Sequence, residues 1–329
     1  MTVTEHSEII TVDYTSNEIK EAIIMNTPIE NKLNVIIVIS NPCLFKKRYQ
    51  LTREFIKRIE LEESHVRLFV VELCYENQPF MITKSSNKNH LQLRCNDIIW
   101  HKENMINMGV QKLLPKNWKA MAWIDADIEF ENSDWALDTL KILNGCKDIV
   151  QIWSHCDDMD ADKTTMRIFH SFGYQYTKGN KYTGLGVNYW HPGYAWACTR
   201  KAYEKMGGLY DYAILGSGDN IMALSLIKNG LKAVNENSTI GYKKTIGEFQ
   251  NRIKGLRLGY VPGVIRHYYH GSKKNRRYTE RWLILLKYNF DPLTFIKYNK
   301  IGLLVPTDRC NKELLNDIFN YFKERNEDE

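Results

Sequence analysis

The segment Leu33-Asn34-Val35-Ile36-Ile37-Val38-Ile39 constrains the fold of this chain more than any other, because six of its seven residues are aliphatic and most are β-branched. Apolarity without polar alternation is the pattern of a strand buried on both faces, and such a strand needs helices above and below it. The residues that follow supply them. Ser40-Asn41-Pro42 ends the run with turn chemistry, and apolar residues at helical spacing predict a helix over about Phe45 to Glu60. Further strands are expected at Val66 to Leu73, Leu91 to Arg94 and Ala120 to Phe130, with a helix over Ile98 to Leu114 between the last two. A helix running to Leu143 and a strand over Asp148 to Ser154 continue the series, and an acidic loop is expected from Asp157 to Asp162. Strands and helices alternating through short connections predict an α/β fold, Rossmann-like, with a mostly parallel central sheet flanked by helices. Its ligand should sit beyond the carboxyl ends of the strands.

Composition enters as an exclusion. At 43% hydrophobic and 12% aromatic residues with 8 prolines, the 329-residue chain is neither disordered nor a low-complexity polymer. A net charge of +6 suits an anionic ligand such as a nucleotide but is modest beside a nucleic-acid-binding domain, so nucleic acid is disfavoured as a partner. No apolar run approaches the ~20 residues of a membrane helix, and the polar start lacks a signal peptide's basic and apolar regions, so a soluble, cytoplasmic protein is expected. Seven cysteines without a C-x-x-C pair read as reduced thiols. Residues 1–30 read as an arm or short leading helix, and 31–300 as one domain with a nucleotide-binding half (31–130) and an acceptor and catalytic half (131–300). Residues 301–329 read as a C-terminal helix and tail, the part from Asn311 onward as a surface helix ending in charges.

Several clusters carry chemistry. Asp125-Ala126-Asp127 follows the apolar Met121-Ala122-Trp123-Ile124, and alternation along a strand would send both carboxylates to one face, where they could hold a divalent cation and through it a diphosphate. A helix cap or a surface turn is the bland alternative. Gly216-Ser217-Gly218-Asp219 precedes a helical apolar period; Asp219 is either an N-cap or a carboxylate that takes the proton of an attacking hydroxyl, and the residues leave both open. His267-Tyr268-Tyr269-His270 precedes the basic run Lys273-Lys274-Asn275-Arg276-Arg277. One imidazole would complete a metal shell and suits manganese better than magnesium, while the basic run would neutralise phosphate oxygens. A core histidine and a solvated charge run are the alternatives. The spacing of Asp158, Asp160 and Asp162 is that of a calcium loop, but Lys163 and Phe169 stand where glycine and glutamate are required, which excludes an EF-hand. Walker A, G-x-G-x-x-G and G-x-S-x-G motifs are absent from the sequence. Trp153, Trp190, Tyr194 and Trp196 would stack on a sugar or pack the core.

In this order the parts resemble metal-dependent glycosyltransferases of the GT-A fold, the β-1,4-galactosyltransferase type in particular, over about residues 33 to 290. The stretch from Trp100-His101-Lys102 through Asn107-Met108-Gly109-Val110-Gln111 is similar to that family's aromatic-x-basic and L-N-x-G-F-Q helix, which implies that Trp100 and Lys102 meet the nucleotide. Asp125-Ala126-Asp127 is similar to its D-V-D motif, implying Asp127 as metal ligand with Asp125 in support. Gly207-Gly208-Leu209-Tyr210-Asp211 with Gly216 to Asp219 resembles its G-G-E-D segment, placing Asp219 on the acceptor-activating carboxylate, although Gly218 replaces the glutamate. Val264-Ile265-Arg266-His267 with Lys273-Lys274-Asn275 resembles the I-R-H and K-K-N segments and favours His267 over His270 as the third ligand. No counterpart of that family's lumenal anchor or disulfides is expected in this chain.

The resemblance implies an inverting, single-displacement transfer of a sugar from a nucleotide sugar, a UDP-sugar, to a hydroxyl of a glycan or other acceptor, with manganese or magnesium. Asp219 is then the base; Asp125, Asp127, His267 and His270 are the metal candidates. Ser40, Glu72, Trp100, Lys102, Asp125, Lys273 and Arg276 are the candidates for the nucleotide. The rival readings are a nucleotidyltransferase, which would release pyrophosphate, and a non-catalytic sugar- or nucleic-acid-binding protein.

Overall fold

The structure, a computed structural model, describes residues 9–184, 186 and 188–329. The first eight residues of the expected arm lie outside the described residues, and the rest of it opens with helix α1 (Ile9–Met25). Then come β1 (Leu33–Ser40), α2 (Lys46–Glu62), β2 (Val66–Tyr75), β3 (His90–Cys95) and α3 (Lys102–Leu113), close to where periodicity places them. The expected strand from Ala120 to Phe130 is instead two strands, β4 (Ala120–Ile124) and β5 (Ile128–Phe130), which belong to different sheets with a turn at 125–127 between them. Next are α4 (Trp135–Ile142) and β6 (Ile149–Gln151), the latter shorter than expected because the chain crosses at Ser154 into β7 (His155–Met159). The acidic loop is likewise corrected: β7 pairs antiparallel with β8 (Thr165–His170), so Asp157 and Asp158 lie in a strand and only 160–164 turn.

The second half continues through α5 (Phe172–Thr177), β9 (Ala195–Thr199), α6 (Arg200–Met206), α7 (Gly218–Leu226), α8 (Ile240–Ile253), β10 (Leu258–Tyr260) and β11 (Val264–His267). It closes with α9 (Trp282–Lys287), α10 (Pro292–Phe295), the hairpin β12 (Ile296–Tyr298) and β13 (Leu304–Pro306), and α11 (Lys312–Glu324).

The central sheet has seven strands in the order β10-β6-β9-β4-β1-β2-β3, and β9 alone runs against its neighbours. Successive residues of β1 enter opposite cores: Ile36 joins the core under α3, and Val35 and Ile37 join the one that holds Phe55 of α2 and Trp135 of α4. This two-sided burial is what the continuous apolar run requires. Helix α3 lies close to the sheet at Gly109, where a Cβ would be 3.1 Å from Val71 and 3.2 Å from Ile36. A second sheet, β5-β11-β7-β8, stands at the carboxyl end of β4. Among the described residues no helix is long and apolar enough to cross a membrane, and all seven cysteines are free.

The helix expected on the surface from Asn311 onward is not a surface appendage. Leu314 and Ile318 are fully buried in the main core, where α11 packs beside α9, and Leu303 and Leu304 ahead of it are fully buried too. Its charged end folds inward as well, with Arg325 and Glu327 both buried.

Candidate active site

The turn at 125–127 decides the site. Because these residues are not extended, the two carboxylates diverge instead of sharing a face. Asp125 forms an ion pair with Lys102, the first residue of α3. Asp127 turns into the second sheet, where its carbonyl accepts from Tyr268 N at 2.8 Å and the chain enters β5 opposite the end of β11.

That register sets His267 against Ile128 on one side and Asp158 on the other. The Asp158 carboxylate, fully buried, lies 2.8 Å from His267 Nδ1 and also takes ion pairs from Arg167 and Lys273. This leaves His267 Nε2 facing Asp127 at 3.7 Å, while His270 Nε2 is 2.7 Å from the same carboxylate. The ligand atoms of Asp127, His267 and His270 all lie within 4.8 Å of one another. Asp127 Oδ1 is buried without a partner. Burial works against its charge, yet the hydrogen bonds of His267 and His270 outweigh that and hold the carboxyl well below its usual range. One carboxylate and two imidazoles, one of them braced by a carboxylate behind it, make a donor set that fits manganese or a neighbouring divalent ion. Both histidines therefore join the cluster, and Asp125 does not.

Asp219 lies on the far side of the 191–194 loop. A Cβ at Gly193 would be 3.2 Å from Asp219 Oδ2 and 2.9 Å from His191 Cε1, so only glycine lets the loop pass. The next residue, Tyr194, holds φ at 80° and packs its ring 4.8 Å from that of His267. A left-handed non-glycine residue between Asp219 and the Asp127, His267 and His270 cluster is backbone strain. Beside Asp219 sits Glu103, buried, its carboxyl pushed up to about 8 by burial, which Lys102 offsets in part and Asp219 reinforces. Sequence reasoning overlooked Glu103. Its signal was Gly218: a Cβ there would be 2.6 Å from Glu103 Cδ, so the Glu103 side chain packs against the start of α7 where glycine leaves room for it.

The remaining candidates separate. Trp100 is half-buried, its Nε1 donating to Glu103 at 3.1 Å and its ring carrying the Arg325 guanidinium at 5.4 Å. Ser40 Oγ is 2.8 Å from Tyr75 Oη, at the carboxyl end of β1, and its carbonyl accepts from Arg48 Nη1 at 3.0 Å. Arg276 Nη2 lies 2.9 Å from His270 Nε2. Glu72 is not brought to the site. Its carboxylate, 1% exposed, accepts from the amides of Met81, Ile82 and Thr83 and from the Thr83 hydroxyl, which pins the loop between β2 and β3. Trp153, Trp190 and Trp196 are core residues, while Tyr194 is packed against His191. Gly207 to Asp211 serve architecture: Asn107 accepts from Leu209 N at 2.8 Å, and Asp211 accepts from Asn104 at 3.1 Å and Tyr298 at 2.7 Å.

No family model matches the chain, and no curated protein matches it. Among solved structures, a mutant β1,4-galactosyltransferase 7 from Drosophila, in complex with manganese, UDP-Gal and xylobiose, is similar with a TM-score of 0.33 and 11% identity, over 60% of this chain and 62% of that one. The catalytic domain of the same Drosophila enzyme with xylobiose gives 0.30 and 13%, over 61% and 63%. The apo form of the glycosyltransferase GlyE from Streptococcus pneumoniae gives 0.32 and 12%, over 90% of this chain and 65% of that one. The chain spans less than two thirds of the length of each.

Proposed function

We propose that this protein is a metal-dependent glycosyltransferase of the GT-A type, transferring a sugar from a UDP-sugar to an acceptor hydroxyl with inversion. The observation that carries the reading is the Asp127, His267 and His270 cluster, with its unpartnered Asp127 oxygen, one loop away from the Asp219 carboxylate. Asp127 and the two imidazoles would hold the ion, and Asp158 fixes the His267 ring so that Nε2 faces inward. When bound, manganese supplies charge neutralisation for the diphosphate and its departure. Arg276, beside His270, places a further cation against the same phosphate oxygens. Asp219 accepts the acceptor's hydroxyl proton as that oxygen bonds to the anomeric carbon and the bond from carbon to the diphosphate oxygen breaks. Lys102 pairs with Asp125 and also lies near Glu103 and Asp219, which keeps a cation close to the base.

The test is a panel of nucleotide sugars with manganese, read as nucleoside diphosphate release, together with Asp127→Ala and excess chelator. Release from a UDP-sugar that stops in both controls is expected. Release of pyrophosphate from a nucleoside triphosphate instead would assign a nucleotidyltransferase, and no turnover with any donor would leave a binding protein.

A further inference from the structure

We infer that Arg48, Arg276 and Arg325 form a site for phosphate groups beside the metal cluster, and that Glu327 fills it as a stand-in that the ligand displaces. The identification of that ligand as a nucleotide diphosphate rests on the function proposed above; the anion site itself rests on its own geometry.

The geometry is that of an occupied site. Glu327, 1% exposed, accepts from Arg48 Nε at 2.8 Å and Arg48 Nη2 at 2.6 Å, and from Arg325 Nη2 at 2.7 Å. Its other flank meets His270 Nδ1 at 3.6 Å, whose Nε2 faces Asp127. A carboxylate gripped by a planar two-toothed guanidinium, with a second guanidinium beside it, copies the way proteins hold phosphate. The grip is also under-neutralised. Glu327 is the acid within ion-pair distance of both Arg48 and Arg325, and Arg276 has no carboxylate at that distance among the described residues. Arg325 is 6% exposed, and its Nε is buried without a partner. An unpaired guanidinium N–H at that depth is costly unless a ligand with more oxygens than a carboxylate completes it. A phosphate has them.

The segment carrying Glu327 is built to approach closely and to leave. Its backbone passes over Gly271, where φ is +83° and a Cβ would lie 2.7 Å from Asn326 O. Residues 325–329 form no helix or strand. Beyond Glu327 they are held by exposed bonds: Asp328 accepts from Lys46 N at 3.0 Å and Lys47 N at 2.8 Å at the start of α2. Arg48 and Arg276 are half-buried, which gives an anion a way in from solvent.

Glu327→Gln keeps the shape and removes the competing charge. Titrated with inorganic pyrophosphate in excess chelator, this variant should bind at least about tenfold tighter than the wild type, and adding Arg48→Gln should abolish the gain. Equal or weaker binding by Glu327→Gln overturns the inference and makes Glu327 a structural ion-pair partner. Should that variant fail to fold, the wild type decides by hydrogen exchange: saturating pyrophosphate must speed exchange in 325–329, and unchanged or slowed exchange there overturns the inference. Because neither readout needs metal, donor or acceptor, the two proposals fail separately. Tighter pyrophosphate binding without turnover of any nucleotide sugar would sink the function and leave the anion site standing.

Discussion

Asp219 is the second residue of α7, and Ser217, at φ 79°, occupies the N-cap position ahead of it without a side-chain bond to the helix. Among the described residues the carboxylate accepts from its neighbour Asn220 N, at 2.8 Å. Asp219→Asn keeps that bond and the size, so the melting temperature should barely move while transfer falls by about 10²- to 10⁴-fold. Near-normal transfer by the variant would remove Asp219 from the mechanism. Glu103 is the opposite case, a carboxyl whose burial sets its titration. Its folded value of about 8 stands above the ordinary 4.5, so the folded state retains its proton longer than the unfolded chain does. The stability it contributes is complete below the unfolded value and is lost as pH rises toward the folded one. Glu103→Gln should therefore flatten the fall of melting temperature between those two values. An unchanged slope would show that Glu103 ionises freely in the folded protein. Asp219 and the two histidines are candidates by residue type and order alone, and the fold brings the histidines onto Asp127; Glu103, Asp158, Arg48 and Glu327 were not legible in this way, because each is a charged residue in a strand, helix or tail whose burial no local pattern reports.

At the scale of elements, periodicity located β1, α2, β2, β3 and α3 because a two-sided strand and an amphipathic helix have distinct spacings. It failed where a strand stops inside an apolar and acidic run. The 125–127 turn carries no glycine or proline to announce it, and a strand drawn through it puts both aspartates on one face. Glu72 shows the same limit. At a strand's carboxyl end it looks like a ligand contact, yet four protein donors consume its oxygens. Glu72→Ala should cost about 3 kcal/mol by stranding those donors, and should speed hydrogen exchange through the loop after β2 with UDP affinity unchanged. A variant of wild-type stability with weakened UDP binding would return Glu72 to the nucleotide site.

Across the whole molecule, the α/β class and the mostly parallel sheet follow from the sequence alone, since alternating buried strands and amphipathic helices have few ways to cover their apolar faces. The candidate chemistry, a D-x-D pair, a downstream His-x-x-His and a glycine-flanked aspartate, was also readable, because such residue types are expensive to bury without a task. Which atoms meet was settled by tertiary structure. Only the register of β11 between β5 and β7 gives His267 its brace on Asp158 and turns it toward Asp127. Only the packing of α11 carries Glu327, far along the chain, onto Arg48. Strand pairing and helix docking are long-range contacts chosen by the fit of whole surfaces, and a one-dimensional pattern records which face of an element is apolar but not which element will lie against it.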